Sequence, residues 1–291
     1  MWFNVMKRNL DDESETMDGR VIAGGAVGCN GGPLTADVAR RRIRRRAPPL
    51  GSPQTNLDLG INAASPSGPA DPQVPHYLNA HYWWAYVHPN AVQLFERQWL
   101  VNLILWGNYA RLRDAVMAEM GDSLPGRTLQ VACAYGDLTT RLSARVAADG
   151  RLDVVDVLPI QLANLRKKLS RTTPVRLLAM DASDLNLPDA SYDRAVIFFL
   201  LHEQPRGYRE RTLSELFRVV KPGGKIVIVD YDLPRWWHPV RYIWRPLLAR
   251  LEPFALDLWR DEITKWLPRG TVRIRKEPYF GGLYQKVVIT P

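Results

Sequence analysis

From residue 127 onward, two spacings of apolar positions alternate along the chain. Near-continuous apolar runs at 127–134 (RTLQVACA), 151–157 (RLDVVDV), 175–182 (VRLLAMDA), 192–201 (YDRAVIFFLL) and 225–231 (KIVIVDY) read as strands. The stretches 137–147 (DLTTRLSARVA), 159–169 (PIQLANLRKKL) and 209–220 (RERTLSELFRVV) read as helices, with Pro159 suited to a first helical turn. Strands that are apolar along most of their length are covered on both faces. The alternation therefore predicts an α/β fold around a mostly parallel sheet. Ligands of such sheets sit outside the carboxyl ends of the strands. Those ends carry Ala132 to Asp137, Asp156, Asp181 and the turn around His202 and Glu203.

The flanking segments read differently. Residues 1–74 are rich in Pro, Ser, Gly and Ala and include an arginine cluster, Arg40 to Arg46, which predicts a disordered basic tail. Residues 75–126 begin with the aromatic YWWAYVHP. After Pro89, the residues Val92, Phe95, Trp99, Leu103 and Trp106 recur at helical spacing, which predicts a helical segment covering the core. Within a catalytic domain over 127–291, residues 233–268 read as a helical insert from 238–251 (HPVRYIWRPLLARL) and 257–267 (DLWRDEITKWL). Val240, Ile243, Trp244, Leu247, Leu248 and Leu251 share one face bordered by Arg241, Arg245 and Arg250. That stripe suits either an interfacial helix or a helix packed on the domain. Two final strand patterns, 271–280 and 283–290, are joined through Gly281-Gly282, a hairpin signal.

Composition narrows the partners. The net charge is +9 over 291 residues. The first 46 hold nine Lys/Arg and six Asp/Glu, so the body is itself basic. A basic body calls for an anionic partner, nucleic acid or a membrane surface. The ten tryptophans favour the membrane surface, and no Asp/Asn-Pro-Pro-Tyr motif follows the fourth strand, so no nucleic-acid partner is expected. Only Cys29 and Cys133 are present, which favours a reducing compartment. No apolar run is long enough to span a bilayer, and the acidic start does not read as a signal peptide.

The chemistry concentrates in LQVACAYGDLTTRL, residues 129–142, where a strand runs through a turn with a single glycine, Gly136, into a helix. Asp156 ends the second strand, where an acid can accept both hydroxyls of a ribose. These landmarks, with MDASDLNLPDASYD and LFRVVKPGGKIVIVDY, resemble in order the Rossmann-like fold of class I S-adenosylmethionine-dependent methyltransferases over roughly residues 76–291. The resemblance implies a seven-stranded sheet ending in an antiparallel hairpin. It also implies S-adenosylmethionine contacts at Gln130, Ala132, Cys133, Ala134, Tyr135, Gly136, Asp137, Thr139, Asp156, Val157, Asp181, Ala182 and Phe198.

Within that superfamily, LQVACAYGDLT and YFGGLYQKVVI resemble the quinone C-methyltransferases of ubiquinone and menaquinone synthesis. The departures are Gln130 for an acid, and Cys133, Ala134 and Tyr135 at small loop positions. Together with YWWAYVHP, LVNLILWGNY and FLLHEQP, they resemble the rhodoquinone-biosynthesis proteins of the RquA type. That resemblance implies conversion of ubiquinone to rhodoquinone, with an amino group replacing a ring methoxy. S-adenosylmethionine is then the amino donor and manganese assists, its ligands unassigned. It places the protein in the cytoplasm, peripheral on the inner-membrane face, or on the mitochondrial inner membrane in a eukaryote. A conventional quinone C-methyltransferase and a catalytically altered accessory protein remain as alternatives.

Five residues are candidates for the chemistry. His202 is a base or metal ligand and Glu203 a carboxylate ligand, or the pair is a helix-start cluster before Pro205. Asp137 orients the donor amine or takes its proton, or else charges the first helical turn. Tyr135 alters the sulfonium pocket. His88, seven residues after His81, is a metal partner or an aromatic-segment residue beside the quinone.

Overall fold

The apolar runs assemble into one seven-stranded sheet of order β3-β2-β1-β4-β5-β7-β6. In the computed structural model the described residues are 74–78, 97–133, 135–170, 172–268, 270 and 273–291. The predicted tail to residue 73, His81, His88 and Ala134 lie outside them.

Strands β1 (Arg127–Val131), β2 (Arg151–Asp156), β3 (Val175–Ala179), β4 (Tyr192–Phe198) and β5 (Val220–Tyr231) pair in parallel. Strand β7 (Tyr284–Thr290) runs antiparallel between β5 and β6 (Arg273–Tyr279), which realises the expected C-terminal hairpin. Helices α1 (Gln98–Ile104) and α2 (Tyr109–Met120) precede the sheet. The parallel crossovers carry α3 (Leu138–Ala144), α4 (Pro159–Lys168) and α5 (Arg206–Val219). Helices α6 (Val240–Leu251) and α7 (Asp257–Arg260) lie between β5 and β6. The core follows the apolar runs: Leu129, Val154, Val196 and Val227 are fully buried at the centre of the sheet.

Several elements are shorter than the apolar pattern suggests. Strand β1 stops at Val131 because Ala132 takes φ 71°, and β4 stops at Phe198 because Phe199 takes φ 56°. A left-handed residue cannot continue an extended strand. Both breaks fall where the chain turns over the carboxyl edge of the sheet. The stretch 257–267 also breaks, into α7 and a 3₁₀ turn, Ile263–Trp266.

The upstream segment corrects the expected covering helix. It divides at Trp106 (φ 53°) and Gly107 (φ 76°). The Asn108 side-chain amide donates to the carbonyls of Leu105 (3.1 Å) and Trp106 (2.9 Å), satisfying groups at the helix end. A left-handed conformation at a tryptophan costs about 1–2 kcal/mol. The break turns Trp99, Leu103 and Trp106 to solvent, while Leu100, Leu105 and the Leu112–Val116 face of α2 enter the core. Helix α6 divides its apolar stripe: Val240, Trp244 and Leu248 are buried, whereas Ile243 is exposed.

One buried charge ties four strands together away from the site. Asp153 on β2 is fully buried and accepts hydrogen bonds from Arg127 (3.2 Å), Arg176 (2.9 Å) and the Tyr192 hydroxyl (2.6 Å). The two arginines keep some access to water, but Tyr192 does not. Asp153→Ala should therefore lower unfolding free energy by about 2–3 kcal/mol in urea titration, chiefly by leaving the buried Tyr192 O–H without an acceptor, although Arg127 still donates to that hydroxyl.

Candidate functional site

The strand order reverses between β1 and β4, and the carboxyl end of such a reversal is the place where α/β sheets bind their ligands. The loop after β1 occupies it. Gly136 adopts φ 90°, and a Cβ there would run into the Tyr109 hydroxyl, so glycine is required at this position. Two side chains of α4 hold the rest of the loop. Lys168 of α4 donates to the Gly136 carbonyl at 3.0 Å, and Gln161 donates to the Tyr135 hydroxyl at 2.8 Å.

Asp137 is the anchor of this loop. Its backbone N–H donates to the Tyr109 hydroxyl (2.8 Å), and that hydroxyl donates back to Oδ1 (3.1 Å). Arg113 spans both carboxylate oxygens at 3.0 and 3.1 Å, and Arg141 reaches Oδ2 at 2.7 Å. Partial burial acts upward on the carboxyl, but Arg141, Arg113 and Tyr109 together hold it below the ordinary range. Such a carboxylate is a poor proton acceptor. The expectation that Asp137 takes a proton from a donor amine gives way to a positioning role. Nor does its side chain cap α3. Tyr109 and Arg113 lie 28 and 24 residues before Asp137, beyond the reach of any local motif.

Of the residues expected from the sequence to contact the cofactor, Asp156 and Gln130 bond directly to the backbone that leaves β1. Asp156 accepts the backbone N–H of Cys133 (2.7 Å) and of Leu158 (2.9 Å). Burial pushes its carboxyl up to about 6, against the downward pull of these donors. Gln130 is buried; its amide donates to the Ala132 carbonyl at 3.0 Å, and its Oε1 has no partner among the described residues. The buried Thr139 hydroxyl also lacks one among them. These orphaned atoms beside an acidic strand end fit the polar groups of S-adenosylmethionine. Asp181 is half-buried and accepts the Ser183 N–H at 2.8 Å, and Ala182 packs against the core. Val157 packs with Leu78 and Leu158. Phe198 is buried edge-on to Tyr109, supporting the loop from beneath.

A second carboxylate organises the turn after β4. Asp230, near the end of β5, accepts the backbone N–H groups of Leu201 (2.8 Å), His202 (3.4 Å) and Tyr231 (2.8 Å). It also pairs with His202 Nδ1 at 2.9 Å. His202 and Glu203 are therefore buried in a 3₁₀ turn, Leu201–Glu203, rather than on the rim. His202 Nε2 lies 3.7 Å from Glu203 and 4.0 Å from Glu252. Burial acts downward on the imidazole, but Asp230, Glu252 and Glu203 raise it to about 9. The surrounding carboxylates thus favour the charged form of the His202 imidazole. Among the described residues no group of three or more His, Cys, Asp or Glu side chains is arranged to hold a metal ion. The expected manganese finds no ligand set there. Asp230 was readable in part: it is the one acid in the buried run KIVIVDY.

Because an ionised Asp156 is the better acceptor for ribose hydroxyls, S-adenosylmethionine affinity should fall as pH drops through about 6. Asp156→Asn should bind more weakly and lose that pH step, as read by calorimetric titration.

Residues 128–224 match the family model described as a methyltransferase domain. The demethylmenaquinone methyltransferase of Staphylococcus aureus (strain MRSA252) is 32% identical over 148 residues, covering 51% of this chain and 60% of that protein. The chain thus spans less than two thirds of the length of this curated relative. Human N-acetylserotonin methyltransferase in complex with S-adenosylmethionine superposes with a TM-score of 0.53 at 15% identity, over 75% of this chain and 60% of that one. A possible exported protein from Bordetella parapertussis gives 0.50 at 18% identity, over 62% and 66%. At these identities, the two solved structures establish likeness of fold alone. Residues 128–224 are thus similar to methyltransferase domains, and they lie in a mostly parallel, Rossmann-like α/β fold that ends in an antiparallel hairpin.

Proposed function

We propose that the protein transfers a methyl group from S-adenosylmethionine to a ring carbon of a hydroquinone. The observation that supports the cofactor half is the polar set around the end of β1: Asp156, bonded to Cys133, and the buried Gln130 Oε1 and Thr139 hydroxyl, which have no partner among the described residues. The likeness to a demethylmenaquinone methyltransferase supports the quinone half.

When bound, the cofactor supplies an electrophilic methyl group. Asp156 would hold the ribose hydroxyls, and Gln130 and Thr139 would take polar groups of the amino-acid end. Tyr109, Arg113 and Asp137 keep the loop that would carry the cofactor in place. The His202 imidazolium, held by Asp230, stabilises the oxyanion of a ring hydroxyl. The hydroxyl proton passes to water. The charge raises electron density at the neighbouring carbon, which would take the methyl as the sulfur keeps the pair of the broken C–S bond. The proton on that carbon then leaves to water as the ring regains aromaticity and its oxygen is reprotonated. A polyprenyl tail keeps the acceptor in lipid. The protein therefore works peripherally at a membrane surface in a reducing compartment, the cytoplasmic face in a bacterium.

A second reading, amination of ubiquinone to rhodoquinone, rests on Tyr135. Its ring lies at a loop position that is small in the quinone methyltransferases, and Gln161 holds its hydroxyl. In that reading the cofactor presents its amino nitrogen and the ring loses a methoxy group. No step is assigned to manganese. The third alternative, an accessory protein, predicts cofactor binding without turnover.

Product mass spectrometry decides between them. The purified protein receives S-adenosylmethionine labelled with carbon-13 at the methyl and nitrogen-15 at the amino group. Short-chain demethylmenaquinol and ubiquinone serve as acceptors, with manganese present in a parallel sample. The expected product carries the heavy methyl. Heavy nitrogen in the ring would establish amination instead, and binding with neither product would leave the accessory reading.

For the methyl transfer itself, His202→Ala and Asp230→Asn should each lower kcat about 10²–10³-fold, with the cofactor dissociation constant little changed. The wild-type rate should fall as pH rises through about 9, where the imidazolium is lost.

A further inference from the structure

We infer that the exposed aromatic face shared by α1 and the segment leading into α6 is a docking surface for anionic lipid. Its purpose rests on the lipid-resident acceptor proposed above; its geometry does not. Among the described residues, eight of the nine exposed large apolar side chains fall within 99–106 and 233–243. Trp236 is 75% exposed, Leu103 66% and Trp99 61%. The two segments meet through the rings of Trp106 and Trp244, edge to face at 5.3 Å. Concentration of this kind, at two joined segments, marks an interaction surface rather than scattered surface apolar residues.

The charges around the face identify its occupant. Neither 97–113 nor 233–251 contains an aspartate or glutamate. Arg97, Arg235, Arg245 and Arg250 are exposed at its borders. Tryptophan and tyrosine settle at the level of lipid headgroups, aliphatic side chains reach below it, and arginines meet the phosphates. A second copy of this chain fits poorly. A two-fold contact places the same patch on both sides and would bring arginine borders together with no acid to pair them. A nucleic-acid backbone would leave Leu103 and Ile243 in water.

The face also connects to the reaction centre. Helix α6 exposes Tyr242 and Ile243 and buries Trp244 in the core that contains Tyr231, whose ring lies 4.9 Å from His202. Just past the end of α6, Glu252 approaches His202 Nε2 at 4.0 Å. A lipid-held acceptor meeting this face therefore arrives on the helix whose far end completes the His202 cluster.

The test uses the full chain and vesicles of phosphatidylcholine with and without phosphatidylglycerol, read by flotation and by quenching of tryptophan emission with brominated lipid. Two variants are compared: Trp236→Ser with Trp237→Ser and Ile243→Ser, and Arg235→Glu with Arg245→Glu. Wild type should float only with anionic vesicles and be quenched. Each variant should lose binding about tenfold or more while keeping its thermal midpoint and cofactor affinity. Failure to float, equal binding to neutral vesicles, or full binding by the first variant would overturn the proposal; the last would transfer binding to the Arg40 to Arg46 run. A dimer in sedimentation velocity that the first variant abolishes, without vesicle binding, would assign the face to a second copy and overturn it as well. Methylation of a short-chain soluble acceptor is measured in the same samples. Vesicle binding without a methylated product keeps the surface and removes the catalytic reading.

Discussion

The carboxylate of Asp137 joins parts of the chain that nothing local would bring together. Two guanidiniums and a phenol converge on it, and its own N–H returns a hydrogen bond to that phenol. A loop in extended or left-handed backbone cannot satisfy its polar groups internally, so other elements must supply partners. Here α2 and α4 supply them from opposite sides. Among the described loop residues glycine is required at Gly136, where a Cβ would meet Tyr109, while Ala132 takes a left-handed conformation without one. Helix α2 is thereby part of the site, although it precedes the first strand.

Asp230 applies the same principle one strand away. Three backbone donors and an imidazole converge on a single buried carboxylate. Burying that charge is tolerable because the donors fill its lone pairs. The consequence is a buried histidine between three carboxylates, Asp230, Glu203 and Glu252, and the rings of Phe199 and Tyr231, a setting that favours its charged form.

The sheet was readable from the sequence because buried parallel strands leave continuous apolar runs, and Asp156 was readable because it ends one of them. Strand ends were not, since Ala132 and Phe199 adopt left-handed conformations that their residue types do not announce. The break after α1 had its signal in Gly107-Asn108, but the regular spacing of Trp99, Leu103 and Trp106 outweighed it. Periodicity reports which residues share a face and not what the face meets; helix α6 buries Trp244 and exposes its neighbour Ile243 for that reason. The positioning of Asp137 depended on partners distant in the chain, which no spacing rule reaches.

The position of β6 outside β7 has a consequence for the life of the protein in a crowded solution. An outermost strand presents unpaired backbone groups that can template pairing with another molecule. In β6 those groups are accompanied by Arg273, Arg275, Lys276 and Glu277, and Pro278 removes one donor altogether. Ile274 is its single exposed aliphatic residue. The hairpin that completes the sheet thus also closes it to further growth, so that sheet-to-sheet accretion is blocked at the edge laid down last in the chain.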